Sequence, residues 1–325
     1  MMTEDLAILS AQHLLMAAGN ATTNEAVLLI YDISTKNLIK FFQLAAKRND
    51  LFLTCIELES QERHGQEPSV EIEKAMENSS LVLALTKHSL AHSKARIKNA
   101  NCGGRFLSLP QYDLDLLIHK MIRVDYKLLQ PSVSRLAKIF TNGSHIQLTT
   151  EQGTNLQMDI SGRTGNACPG YVFASGELGS PPDAEANVAP IEESIQGVAV
   201  IDGSITTPEI GLLDKPVILK IENGAVVEFT TESTEVARSL DSLFTNENKK
   251  RRIIAEFGVG FNPLALLTGK MLSDEGSIGT AHLGLGSNFT IGGKNEVDFH
   301  LDFVFKKPII FVDNKAVWNQ FEFVD

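Results

Sequence analysis

Ala26-Val-Leu-Leu-Ile-Tyr31 and Leu81-Val-Leu-Ala-Leu85 are unbroken apolar runs of strand length. Successive strand side chains point to opposite faces, so a run without alternation needs cover on both sides, as in a parallel sheet. The sequence between them keeps changing period. Thr35 to Arg48 reads as a helix, Leu51 to Leu58 as a second strand, and Pro68 through Met76 as another helix, while Phe106-Leu-Ser-Leu109 adds a short fourth strand. Strand and helix in alternation predict an N-terminal α/β domain with a doubly wound parallel sheet.

Further along, the texture changes. Helical patterns around Leu114–Met121 and Val133–Ile139 give way to His145–Thr149 and Asn155–Asp159, where apolar and polar residues alternate as in half-buried strands. A Gly-, Pro- and Ser-rich loop runs to about Pro190, followed by strands at Val198–Ile201 and Val217–Ile221. The expectation is a C-terminal mixed α+β domain, with the chain divided into residues 1–130 and 131–325.

Composition narrows the function. The 325 residues carry 29 Lys+Arg against 40 Asp+Glu, a formal charge of -11, which repels nucleic-acid phosphates and anionic lipid. The run Lys249-Lys-Arg-Arg252 reads as a solvated lead-in to a strand, so neither nucleic acid nor membrane is an expected partner. Met1-Met-Thr-Glu-Asp5 lacks the basic and apolar regions of a leader, which points to a cytoplasmic protein. Cys55, Cys102 and Cys168 are scattered and supply neither a disulfide framework nor a thiolate zinc site. No Gly-x-Gly-x-x-Gly or phosphate-binding loop follows the first strand. His88-Ser-Leu-Ala-His92 reads as a surface helix, Gly284-Leu-Gly286-Ser-Asn-Phe289 as a turn near the site, and Asp183, Asp202 and Glu193 as solvated acids.

The chemistry concentrates late in the chain. In Asn295-Glu-Val-Asp-Phe-His-Leu-Asp-Phe-Val-Phe305, Val297, Phe299, Leu301, Phe303 and Phe305 fall on one strand face, and Asp298, His300 and Asp302 on the other. A His-x-Asp pair on a strand sets an imidazole beside a carboxylate, as a first-row metal requires; it equally suits the polar face of an edge strand. His282 lies among small and apolar residues in Gly279-Thr-Ala-His-Leu-Gly-Leu-Gly286, where a satisfied core histidine is the plainer alternative. Glu256 is embedded in Ile253-Ile-Ala-Glu-Phe-Gly-Val-Gly260, and Glu185 in a proline-bounded loop where most acids are solvated. An unpaired buried carboxylate is costly, so Glu256 calls for a cation. Together these side chains make five donors, enough for two metal ions.

These segments resemble the aminopeptidase T group of metallopeptidases. The resemblance rests on Ala184-Glu185 to Pro190, Ala255-Glu256 to Gly260, Asp274-Glu275, His282-Leu-Gly-Leu-Gly286 and His300-Leu-Asp302-Phe303. It extends more weakly through Thr86–Arg96 and Gly104–Pro110. It implies Glu185, Glu256, His282, His300 and Asp302 as ligands of two divalent ions (zinc, cobalt or manganese) in a homodimer. The implied enzyme is a metallo-aminopeptidase-like hydrolase that removes N-terminal residues from short peptides through a metal-activated water, with Glu185 or Glu256 as catalytic proton shuttle. Phe289 stands where that family has a tyrosine, and Ala184 and Ala255 where it has glycines. The same broader family is similar to the dihydroxypyridine ring-cleaving dioxygenases, which use one Fe(II). For these, His282, His300 and Asp302 would be the two-His, one-carboxylate set, and an oxygenase pocket for an aromatic ring has no need of the tyrosine that Phe289 replaces. A metal-free binding protein on the same fold is the third reading.

Overall fold

The computed structural model describes residues 3–244 and 248–324; Met1 and Met2, part of the N-terminal leader reading, lie outside the described residues. Two compact units emerge, one formed by Met1–Leu128 and Gly170–Pro182, the other by Leu129–Pro169 and Asp183–Asp325.

In the first unit, β1 (Ala26–Tyr31), β2 (Phe52–Glu57), β3 (Leu81–Leu85) and β4 (Arg105–Ser108) form a parallel sheet in the order β2-β1-β3-β4, extended by the short strand Leu178–Gly179. Leu28, Ile30, Val82, Ala84 and Phe106 pack on Ile72 and Met76 of helix Val70–Glu77 and on Ala95 of helix Lys94–Asn101. The alternate residues Val27, Leu29, Leu81 and Leu83 are buried on the other face. This two-sided burial is what the unbroken apolar runs require. The helix expected from Pro68 starts at Val70, because Ser69 caps it by accepting from Ile72 N.

His88 and His92 do not lie on a helix. The backbone there is committed elsewhere: Lys87 N donates to Asp32 Oδ2, Ser89 N to His64 Nδ1, and Ser93 serves as N-cap of the following helix.

The second unit is built on two antiparallel sheets. The eight-stranded sheet comprises Ala225–Thr231, Val217–Glu222, Gln196–Ile201, Asn155–Asp159, His145–Thr149, Ile309–Val312, Lys315–Asn319 and Glu322–Phe323, in that spatial order. The seven-stranded sheet runs Gly211–Leu212, Ser204–Ile205, β8 (His300–Lys306), β7 (Thr280–Gly286), β6 (Ile254–Gly260), β5 (Glu185–Val188) and Asn166–Cys168. Ile146, Leu148, Leu156 and Met158 from the first sheet share one core with Val188, Phe257, Val259, Leu283, Leu285, Leu301, Phe303 and Phe305 from the second. Leu136 and Phe140 of helix Tyr126–Asn142 close it. The fold class is therefore mixed α/β, a parallel-sheet unit followed by an α+β unit. Two strands of the seven-stranded sheet, Asn166–Cys168 and β5, lie inside the stretch that reads as loop; they are too short to show a period. Among the described residues no helix is long and apolar enough to cross a membrane.

Candidate metal centre

One face of the seven-stranded sheet is spent on the core, and the other carries the polar residues of β5 to β8. Residues directly opposite in an antiparallel pair share a face. Asn187, Gly258 and His282 form one row across β5, β6 and β7, and Glu256, Gly284 and Asp302 the next across β6, β7 and β8. Glu185 faces Gly260, and His300 faces Gly286. Each ligand-type side chain thus lies beside a glycine that leaves it room. A Cβ on Gly284 would sit 2.9 Å from His300 Cε1, 3.0 Å from Asp302 Oδ1 and 3.0 Å from Glu256 Cβ. Gly284 and Gly286 are strand residues, not the turn that their spacing suggests.

A register shift between Ile254 and Glu256 explains how β6 serves both faces. Residues two apart in a regular strand point the same way, yet Ile254 packs in the core while Glu256 pairs with Gly284 on the polar face. The extra residue, Ala255, resets the phase.

The five residues expected as ligands do converge. Among the described residues, donor atoms gather in two overlapping groups, Glu185 with Glu256 and His282, and Glu256 with His300 and Asp302, each spanning no more than 4.8 Å. Glu256 is the shared member. Its Oε1 lies 3.9 Å from His282 Nε2 and its Oε2 3.5 Å from His300 Nε2. Glu185 Oε2 is 3.3 Å from His282 Nε2, and Asp302 Oδ1 is 3.1 Å from His300 Nε2. His282, Glu185, Glu256 and Asp302 are buried, whereas His300 keeps 35% of its side chain exposed and marks the open side. Its Nδ1 meets Ser287 O at 3.2 Å, which aims Nε2 at the acids. Asp298 precedes β8 and is not part of either group.

The electrostatics fit a cation. Burial depresses the His282 imidazolium, but Glu185 and Glu256 outweigh it and lift its pKa to about 9. Against the same burial penalty, Asp302 and Glu256 lift His300 to about 10. Burial raises Glu185 to about 7, with His282 opposing and Glu256 assisting. Burial would also raise Asp302, but His300 holds it well below the ordinary carboxylate range. Glu185 Oε2, Asp302 Oδ1 and His282 Nδ1 are buried without a hydrogen bond. Crowded acids with spare lone pairs, facing imidazoles that hold protons only because of those acids, are the donor set a divalent metal satisfies.

Two acids went unrecognised in the sequence. Asp183, expected to be solvated, is buried at 5% exposure, and Glu275 at 8%; each has a buried oxygen without a hydrogen bond. Burial, reinforced by the neighbouring carboxylates, raises both well above the ordinary range, and Glu275 interacts directly with Asp302. The polar loop around Asp183 concealed its burial; the embedded position of Glu275 beside Asp274 was a usable signal. Asp274 is a structural anchor, accepting from Ser204 Oγ at 2.6 Å and Thr268 N at 2.7 Å.

The family model of NicX, 2,5-dihydroxypyridine 5,6-dioxygenase, matches residues 12–325. The solved structure of 2,5-dihydroxypyridine dioxygenase from Pseudomonas putida KT2440 superposes with a TM-score of 0.83 at 17% identity, covering 100% of this chain and 98% of the other. Wild-type AmpT from Thermus thermophilus superposes with a TM-score of 0.69 at 14% identity, each chain covered in full at 100%. No curated protein matches. At these identities both structures establish the shared fold. The expected metallo-aminopeptidase-like hydrolase is overturned by the family match, which spans nearly the whole chain and is to a dioxygenase. The residues agree: at Phe289 the side chain has no hydroxyl to assist peptide hydrolysis.

Proposed function

The chain belongs to the family of NicX, 2,5-dihydroxypyridine 5,6-dioxygenase, and on that premise we propose that it opens the ring of a hydroxylated aromatic heterocycle with dioxygen at a single ferrous ion. The observation that carries this reading is the family match over a sheet face where His282, His300, Asp302 and Glu256 converge. Ferrous iron, when bound, would activate dioxygen for attack on an aromatic ring, whose own bonds supply the electrons that reduce it.

In this reading His282, His300 and Asp302 hold the metal, a two-His, one-carboxylate set suited to iron, and Glu256 lies between the two imidazoles. The Ser287 carbonyl keeps a proton on His300 Nδ1 and leaves Nε2 free to ligate. Glu185, with a pKa near neutrality, takes the proton of a ring hydroxyl at Oε2 and returns it to the opened product. The substrate is a small planar molecule, and in a 5,6-cleavage the C5–C6 bond breaks while both oxygen atoms enter the product. Assembly as a homodimer belongs to the same proposal.

The test is anaerobic reconstitution with Fe(II), followed by exposure to 2,5-dihydroxypyridine and air-saturated buffer. We expect one iron per chain, one dioxygen consumed per substrate, and loss of the ring's ultraviolet absorbance. A fully iron-loaded protein that takes up no dioxygen with this or related dihydroxylated heterocycles would overturn the reading.

A further inference from the structure

A line of side-chain amides leads away from the metal-facing acids and ends at the turn that carries Phe289. Asn187, 3% exposed, donates from Nδ2 to Glu185 Oε1 at 2.7 Å. Its Oδ1 accepts from Asn166 Nδ2 at 2.9 Å, and the same Asn166 nitrogen reaches the Ile291 carbonyl at 3.4 Å. The line runs one way: Asn187 turns its NH2 group toward Glu185 Oε1 and its carbonyl toward Asn166, which donates to it. Ile291 closes the single helical turn Phe289–Ile291, which follows β7 and lies in the connection to His300.

We propose that Asn187 and Asn166 are positioning residues for the metal centre: by holding Glu185 Oε1 they direct Oε2 at His282, and they tie that carboxylate to the Phe289 turn. The inference rests on the metal reading above. The row geometry supports it, since Asn187 shares its row with Gly258 and His282 and so lies on the ligand face itself. Glu185 Oε2, 3.3 Å from His282 Nε2, has no hydrogen bond of its own; the bond from Asn187 to Oε1 holds the carboxylate that carries it. The turn is held at its other side too. Glu192 accepts from Asn288 Nδ2 at 3.1 Å and Lys294 N at 2.6 Å, and is paired with Arg163 at 2.6 Å.

The experiment titrates Co(II) into metal-stripped protein and reads both affinity, by competition with a chromophoric chelator, and the visible ligand-field spectrum. Asn187→Leu, which keeps the volume and removes the hydrogen bonds with Glu185, Asn166 and Cys168 Sγ, is expected to weaken Co(II) binding by about ten- to a hundredfold and to change the spectrum. Asn166→Ala leaves the Asn187 donor in place, so it should lose less affinity yet still shift the spectrum. Both variants binding Co(II) with unaltered affinity and spectrum would overturn the inference while leaving the metal reading intact. If Asn187→Leu does not fold, the Asn166→Ala spectrum decides alone: unshifted, it overturns the inference. Failure of the unsubstituted protein to bind Co(II) at all overturns the metal reading, and this inference with it.

Discussion

Gly258 on β6 and the imidazole of His282 on β7 occupy space that only a glycine can share. A Cβ at residue 258 would lie 2.2 Å from His282 Cε1, 2.4 Å from Nε2 and 2.9 Å from Glu185 Oε2, well inside van der Waals contact. The glycine is there so that the imidazole can lie flat across the neighbouring strand.

Gly258→Ala therefore has to displace the ring or the strand. Overpacking of this kind costs about 1–3 kcal/mol, and here the atoms displaced are donors. The expected outcome is a lowered melting temperature together with weaker metal binding. Gly284→Ala, where the approaches are 2.9 to 3.0 Å, should be milder on both counts. Equal metal affinity in all three proteins would show that the imidazole position is not critical.

His300 is the partly open member of the donor set, so removing it disturbs packing least. His300→Ala should retain the fold, seen as an unchanged circular dichroism spectrum, while losing metal and dioxygen consumption together. Measuring metal content after desalting checks this: normal metal with normal turnover in the variant would remove His300 from the centre.

Much of the site was legible because its strands announce themselves. Leu301, Phe303 and Phe305 alternate with His300 and Asp302, and that period alone assigns one face to the core and one to chemistry. β3 was equally plain, since an all-apolar run has few other uses. The acids were harder. Glu256 sits two residues from core Ile254, which contradicts strand alternation until the extra residue Ala255 is known, and a bulge is set by pairing that no local pattern records. β5 could not be seen as a strand because four residues show no period, although the family resemblance singled out Glu185. Asp183 and Glu275 are buried by contacts distant in sequence. His88 and His92 have helical spacing, but the backbone on either side of His88, Lys87 N and Ser89 N, bonds to Asp32 and His64 instead. Activity was the least legible level: the candidate ligand residues suit hydrolysis and oxygenation alike, and it is the family match across the chain that favours a dioxygenase.

Phe257 lies directly behind the site, between Glu256 and Gly258, and its ring packs 5.9 Å from that of Phe140. It is fully buried. Phe257→Ala should destabilise the second unit by about 3–5 kcal/mol through transfer and cavity terms, and Phe257→Leu by less. Chemical denaturation of the metal-free protein measures this. Since the residue points away from the donors, Phe257→Leu should keep its metal affinity; a large affinity loss in that variant would mean that the sheet transmits core strain to the ligand face.

The pH dependence follows from acids and imidazoles whose pKa values are raised in the folded, metal-free chain, Asp183 and Glu275 among them. Glu185 rises from 4.5 to about 7, His282 from 6.5 to about 9 and His300 from 6.5 to about 10. A raised pKa means the folded state binds the proton more tightly than the unfolded one, so its stabilisation is complete below the ordinary value and is lost as pH climbs through the raised one. Glu185 gives up its share between 4.5 and about 7, and the two imidazoles give up theirs between 6.5 and about 9 to 10. Stripped protein should consequently melt at falling temperature as pH rises across this range. A divalent ion takes the place of those protons, and it binds more tightly as they leave, so its stabilisation by mass action grows in the same direction. The melting-temperature gap between metal-loaded and stripped protein should widen from mildly acidic to alkaline buffer. Calorimetry on both forms across that range is decisive: a gap that stays constant or narrows would mean that the metal does not displace protons from these side chains, and that the imidazoles are not its ligands.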